Sequence, residues 1–123
     1  MAAPNLRNIT TATGKTAYAV ASGTSSTALL SNASGSGTVC KVTYLASSNS
    51  DSAACNATLN LYSQAAGAGT AYPILSTVSI PAYSTIVVIG DGGCLYLEED
   101  KSLYFTAGTS AKLNAFASYE LLA

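Results

Sequence analysis

Histidine and tryptophan are absent from this chain, and charge is scarce. Each shortage removes a class of function. Without imidazole there is no Ser-His-Asp or Cys-His nucleophile pair, and none of the histidine-rich zinc sites. The charged fraction is 9%, against about 25% in a typical soluble protein. The net charge is −1, with no basic run or stripe to follow a phosphate backbone, so no nucleic-acid partner is expected. The longest aliphatic run, Ile86-Val87-Val88-Ile89, is far shorter than the ~20 apolar residues of a membrane-spanning helix, so no membrane is expected. The opening Met1-Ala2-Ala3-Pro4-Asn5 turns polar at once. It lacks the charged-then-apolar order of a signal peptide, and the expectation is a chain made and folded in a cytoplasm.

Chemistry-bearing motifs are equally sparse. There is no P-loop, no G-x-G-x-x-G and no G-x-S-x-G. The three cysteines, Cys40, Cys55 and Cys94, are odd in number and lack C-x-x-C spacing, so they read as small hydrophobes rather than a disulfide framework or a thiolate metal site. Glu98-Glu99-Asp100 places three carboxylates in succession. A glycosidase pair must face across a cleft, which neighbours in a turn do not do. The cluster therefore reads as a solvated turn, and no catalytic, cofactor or metal residue is assigned. Asn8-Ile9-Thr10, Asn32-Ala33-Ser34 and Asn56-Ala57-Thr58 match the glycosylation pattern only as expected by chance in so Asn-, Ser- and Thr-rich a chain.

What the chain does have is β-sheet pattern. Eight tyrosines and many β-branched residues recur with period two. In Thr38–Ala46, residues Cys40, Val42, Tyr44 and Ala46 share one predicted face. Ala57, Leu59 and Leu61 alternate with polar residues in Asn56–Tyr62; Leu103, Phe105 and Ala107 do so in Lys101–Ala107. Leu113, Ala115, Ala117, Tyr119 and Leu121 form one face of Lys112–Leu121. Lys15–Val20, Ser26–Asn32 and Tyr72–Ile80 read as weaker strands. Thr85–Ile89 is apolar on both faces and reads as a central strand, whereas Cys94–Leu97 reads as a short edge. Asp91-Gly92-Gly93 suggests a hairpin flanked by Ile89 and Leu95. No helix is expected. Eight or nine short strands separated by small-residue turns predict one all-β domain, a β-sandwich of jelly-roll or immunoglobulin-like kind, with a closed barrel as the alternative. Residues 1–14 read as an extended N-terminal arm, and 15–123 as the sandwich.

So little charge suggests a surface covered by neighbours, since an isolated protein uses charge to stay apart from others. Candidate interface residues are Leu6 and Ile9, which could anchor the arm in a neighbour's groove. Tyr104, between Leu103 and Phe105, and Phe116, between Ala115 and Ala117, are candidates on outer strand faces.

The opening Ala2-Ala3-Pro4-Asn5-Leu6, Asn8-Ile9-Thr10-Thr11 and Thr13-Gly14-Lys15-Thr16 resembles small β-rich virion proteins of tailed bacteriophages, especially those infecting cyanobacteria. So does the closing stretch, through Ile80-Pro81-Ala82, Tyr96-Leu97-Glu98-Glu99-Asp100 and Ser118-Tyr119-Glu120. The likeness spans most of the chain in outline and rests on ordinary sheet residues. It implies a non-enzymatic virion structural protein, a decoration or cement protein coating the head lattice, assembled in the host cytoplasm. Its implied partners are the major capsid protein or another virion protein; the sparse charge and the outer-face candidates add copies of the chain itself, in a trimer or other small symmetric oligomer. The alternatives are a small tail, neck or fibre component, or a module binding carbohydrate or a cell surface.

Overall fold

The computed structural model describes residues 6–21, 24–108 and 112–123. Within them the chain forms β1 (Ala12–Val20), β2 (Thr27–Asn32), β3 (Val39–Asn49), β4 (Cys55–Tyr62), β5 (Ala71–Ile80), β6 (Thr85–Ile89), β7 (Leu95–Leu97), β8 (Lys101–Ala107) and β9 (Leu113–Leu122). A single 3-10 turn, Ala65–Gly67, joins β4 to β5. The strands form two antiparallel sheets. The first runs β1-β9-β3-β6, with β7 also on β3; the second runs β2-β8-β4-β5.

That order identifies the sandwich. Strands β6 and β7 lie end to end along one edge of β3, β6 against Leu45 to Ser48 and β7 against Cys40 to Val42. Counted as one interrupted strand, they complete four nested antiparallel pairs: β4 with β5, β3 with β6 and β7, β2 with β8, and β1 with β9. A long double strand rolled up so that successive pairs alternate between two sheets is a jelly roll, so this alternative holds over the immunoglobulin-like one.

The core lies between the sheets. Val42, Leu45, Leu97, Leu113 and Ala117 of the first sheet meet Leu59, Ile80, Leu103 and Phe105 of the second, all nearly or wholly excluded from solvent. Cys40 and Cys55 are part of this core, and Cys94 is exposed. Two buried asparagines tie the layers together. Asn32 of β2 donates its amide to the carbonyls of Thr38 and Leu97 at 2.9 and 3.1 Å. Asn49 of β3 donates to Ala53 and Ile80 at 2.8 and 3.0 Å and accepts from the Asp51 N–H at 2.9 Å. A buried amide is stable only when paired, so these bonds fix the register of one sheet on the other.

Four expectations need correction. Strand β1 begins at Ala12, because Ala12 to Gly14 pair with Leu122 to Glu120; the arm is therefore shorter than 1–14, and its first five residues lie outside the described ones. Strand β6 is an edge strand, not a central one. Its two-sided apolarity comes from Ile86 and Val88 packing inward while Val87 faces out. Ile89 and Leu95 do not flank a hairpin, because both strands pair with β3 and the Gly90–Cys94 segment is an excursion between them. Finally, Tyr44 and Ala46 do not share the face of Cys40 and Val42. The ladder to β9 shifts between Val42 and Tyr44, and this bulge turns Leu45 into the core instead.

Candidate functional site: the outer face of the five-stranded sheet

Among the described residues there is no cleft or cavity, and no group of His, Cys, Asp and Glu that could hold a metal ion. Every deeply buried side-chain nitrogen and oxygen among them has a hydrogen-bond partner. Asp100, the last of the acidic triplet, sits in the left-handed backbone region (φ 59°) and accepts a hydrogen bond from the Ala65 N–H at 3.0 Å. Its carboxylate caps a loop. Burial pushes the Cys40 thiol above its ordinary range, with Lys15 nearby opposing the shift. Burial also raises the Tyr119 hydroxyl, and Cys40 adds to that rise.

The distinctive feature is a surface. Strand alternation sends Leu113, Ala115 and Ala117 into the core and Asn114, Phe116 and Ser118 outward. On β1 the smaller residues, Ala17 and Ala19, pack inward, leaving Tyr18 and Val20 outside at 75% and 56% exposure. Across the outer face, Tyr18, Phe116, Ala46 and Val87 lie in register on β1, β9, β3 and β6. Val87 is 53% exposed, whereas Ala46, between Val87 and Phe116, is buried. Of the nine large exposed hydrophobic residues among those described, six lie on this face: Tyr18, Val20, Tyr44, Val87, Tyr96 and Phe116. The strands bring only two charges to it, Lys41 and Glu120, side by side in register. Thr16 and Ser118 on one side of the Phe116 row, and Asn114, Ser48 and Thr85 on the other, share the face in register; clustered large apolar residues on a surface commonly mark an interaction site.

The second sheet's outer face is unlike it. Asn56, Thr58 and Asn60 alternate with the inward Ala57 and Leu59. Ser102 and Tyr104 also face outward, but the chain's own 63–70 loop lies over them. The Ser102 hydroxyl donates to the Gln64 carbonyl at 2.8 Å and accepts from the Gly67 N–H at 3.0 Å. Gly67 has φ +70°, and a Cβ there would meet the Tyr104 ring at 3.0 Å. Tyr104 also packs edge-on against Tyr62, ring centres 5.6 Å apart.

The four sequence candidates therefore separate. Phe116 stands near the middle of the apolar face. Tyr104 is half-buried under its own loop and is not part of that face. Leu6 is exposed and Ile9 half-buried, ahead of Thr10 and Thr11, whose N–H groups donate to the Ala123 carbonyl at 2.8 and 3.1 Å. Val20 and Val87 were not singled out from sequence, and Tyr18, Tyr44 and Tyr96 stood out only as three of eight tyrosines able to offer a stacking face to a sugar or a protein partner. The available signal was a large apolar residue alternating with alanine, as in Ala17-Tyr18-Ala19-Val20.

No protein family, curated protein or solved structure matches this chain in comparisons with known proteins.

Proposed function

We propose that this chain is a non-catalytic assembly subunit, a decoration or cement protein that coats the head lattice of a tailed bacteriophage. One observation carries the reading: the outer face of the β1-β9-β3-β6 sheet is apolar and aromatic where a solitary sandwich would be polar. The low overall charge is consistent with a surface that spends its life against other protein. The jelly roll is a fold used by viral capsid domains, although fold alone does not assign function. The phage setting itself rests on the sequence resemblance. Mass spectrometry of purified virions tests it: the chain should be present at a stoichiometry comparable to that of lattice proteins, and its absence from particles overturns the reading.

A second reading is favoured by the exposed Tyr18, Tyr44 and Tyr96 on the same face. Aromatic platforms bind sugars, and lectin domains also use jelly rolls. Binding to a glycan array, lost on Tyr18→Ser, would promote it over the structural role.

A further inference from the structure

The outer face of the first sheet is complementary to itself. Imagine a two-fold axis lying in the plane of contact, parallel to the strands and between β9 and β3. It places β9 of each copy over β3 of the other. Because Phe116 and Ala46 are in register, Phe116 of each copy then lies beside Phe116 of its partner copy, above Ala46, which its own chain already buries. Tyr44 and Ser118, also in register, set a large residue over a small one. Tyr18 of β1 meets Val87 of β6. Glu120 and Lys41, likewise in register, bring each carboxylate over the opposite copy's ammonium. The same operation thus pairs a large residue with a smaller one at Tyr44 and at Tyr18, and opposite charges at Lys41 and Glu120.

We infer that the occupant of this face is a second copy of the chain, packed sheet to sheet across that two-fold axis. The inference rests on the proposed reading of this surface as an assembly face and names its partner. The area is adequate. Four strands about 4.8 Å apart and nine residues of about 3.3 Å rise project roughly 550 Å² per copy. Two copies together then bury about 1,100 Å², just above the ~1,000 Å² minimum for a specific interface.

The edges argue against lateral assembly. Strand β5 carries Pro73, two register shifts and Thr77 at φ 51°. The β6 and β7 edge is broken by Gly90–Cys94, and β2 is short and bulged. On β1, Lys15 shares the inward side with Ala17 and Ala19. These are the devices that prevent edge-to-edge pairing. A ring of three would need two different complementary patches per subunit, whereas one self-complementary patch closes as a dimer.

Analytical ultracentrifugation of the full chain tests this by charge reversal. The wild type should sediment as a dimer at tens of micromolar. Lys41→Glu and Glu120→Lys should each weaken dimerisation at least tenfold, with unchanged β-sheet dichroism. Mixed in equal amounts, these two variants should form heterodimers, and the double reversal should restore the homodimer. Tyr72→Asp, on the other sheet, should leave the dimer intact. A monomeric wild type, or a dimer indifferent to either reversal, overturns the second-copy proposal. Particle binding that is nevertheless lost on Phe116→Asp would retain the assembly-face reading with a different occupant; particle binding unaffected by Phe116→Asp removes that reading as well.

Discussion

The two outer faces of this sandwich belong to the same fold, yet they are finished differently. The second sheet ends its outer side in Asn56, Thr58 and Asn60, and closes over Ser102 and Tyr104 with its own loop. The first sheet ends in Tyr18, Val20, Phe116 and Val87, with no loop hydrogen-bonded over them among the described residues. A jelly roll requires only that both inner faces be apolar. Its outer faces are unconstrained by folding, so a difference between them reports on surroundings rather than on the fold. On the proposed reading, the polar face meets water and the apolar face is completed by another protein surface.

This contrast can be broken deliberately. The largest effect is expected for the double substitution Tyr18→Ser and Val87→Ser, which makes the first face resemble the second. Association should weaken by about 2 kcal/mol or more, roughly 30-fold, as for loss of interface hot spots. Concentration-dependent light scattering measures this, and the melting temperature of the monomer should change little. On the opposite face, Ser102→Ala should cost about 1–2 kcal/mol of folding stability, because it leaves the Gln64 carbonyl and the Gly67 N–H without their partner. Denaturant unfolding measures the loss, and amide exchange should quicken within 63–70 while association is unchanged. Gly67→Ala should cost about 1 kcal/mol or slightly more, since alanine is strained at positive φ and its Cβ crowds the Tyr104 ring.

A smaller effect separates the core from both faces. Folding raises the Cys40 and Tyr119 pKa values, first through burial. A raised folded value means that the stabilisation is complete below the unfolded value and is lost as pH increases. Stability should therefore decline as the pH passes the ordinary thiol value of 9.0, and Cys40→Ala should flatten part of that decline in alkaline melts. A profile equally steep in the variant would assign the effect to other groups.

Strand existence was largely legible in the sequence, because inward residues of β4 and β8 alternate with polar or hydroxyl-bearing ones, and those of β9 do so except at Phe116. The exceptions were local and physical. One bulge after Val42 reversed the faces of Tyr44 and Ala46, and no propensity marks where a bulge falls. Thr85–Ile89 looked central because its composition is apolar throughout, but an edge strand with an apolar outer face reads identically. The apolar outer face was harder still. Phe116 was visible as an outward aromatic residue, yet Tyr18 and Val20 would ordinarily be assigned to the core over the alanines beside them. Only the pairing of β1 with β9 shows that Ala17 and Ala19 face inward. Tyr104 looked equivalent to Phe116 in one dimension, and a loop contributed by residues 63–70 separates them in three.

Hydroxyl-radical footprinting tests the difference between the faces most directly, because it reads individual aromatic side chains. Wild-type protein in its assembled form should show Tyr18, Tyr44, Tyr96 and Phe116 protected relative to dissociated chains, while the exposed Tyr72 and Tyr83 stay equally reactive in both. Unchanged reactivity at Tyr18 and Phe116 on assembly, or protection centred on Tyr72 instead, would contradict the assignment of the first sheet's outer face as the surface through which this protein assembles.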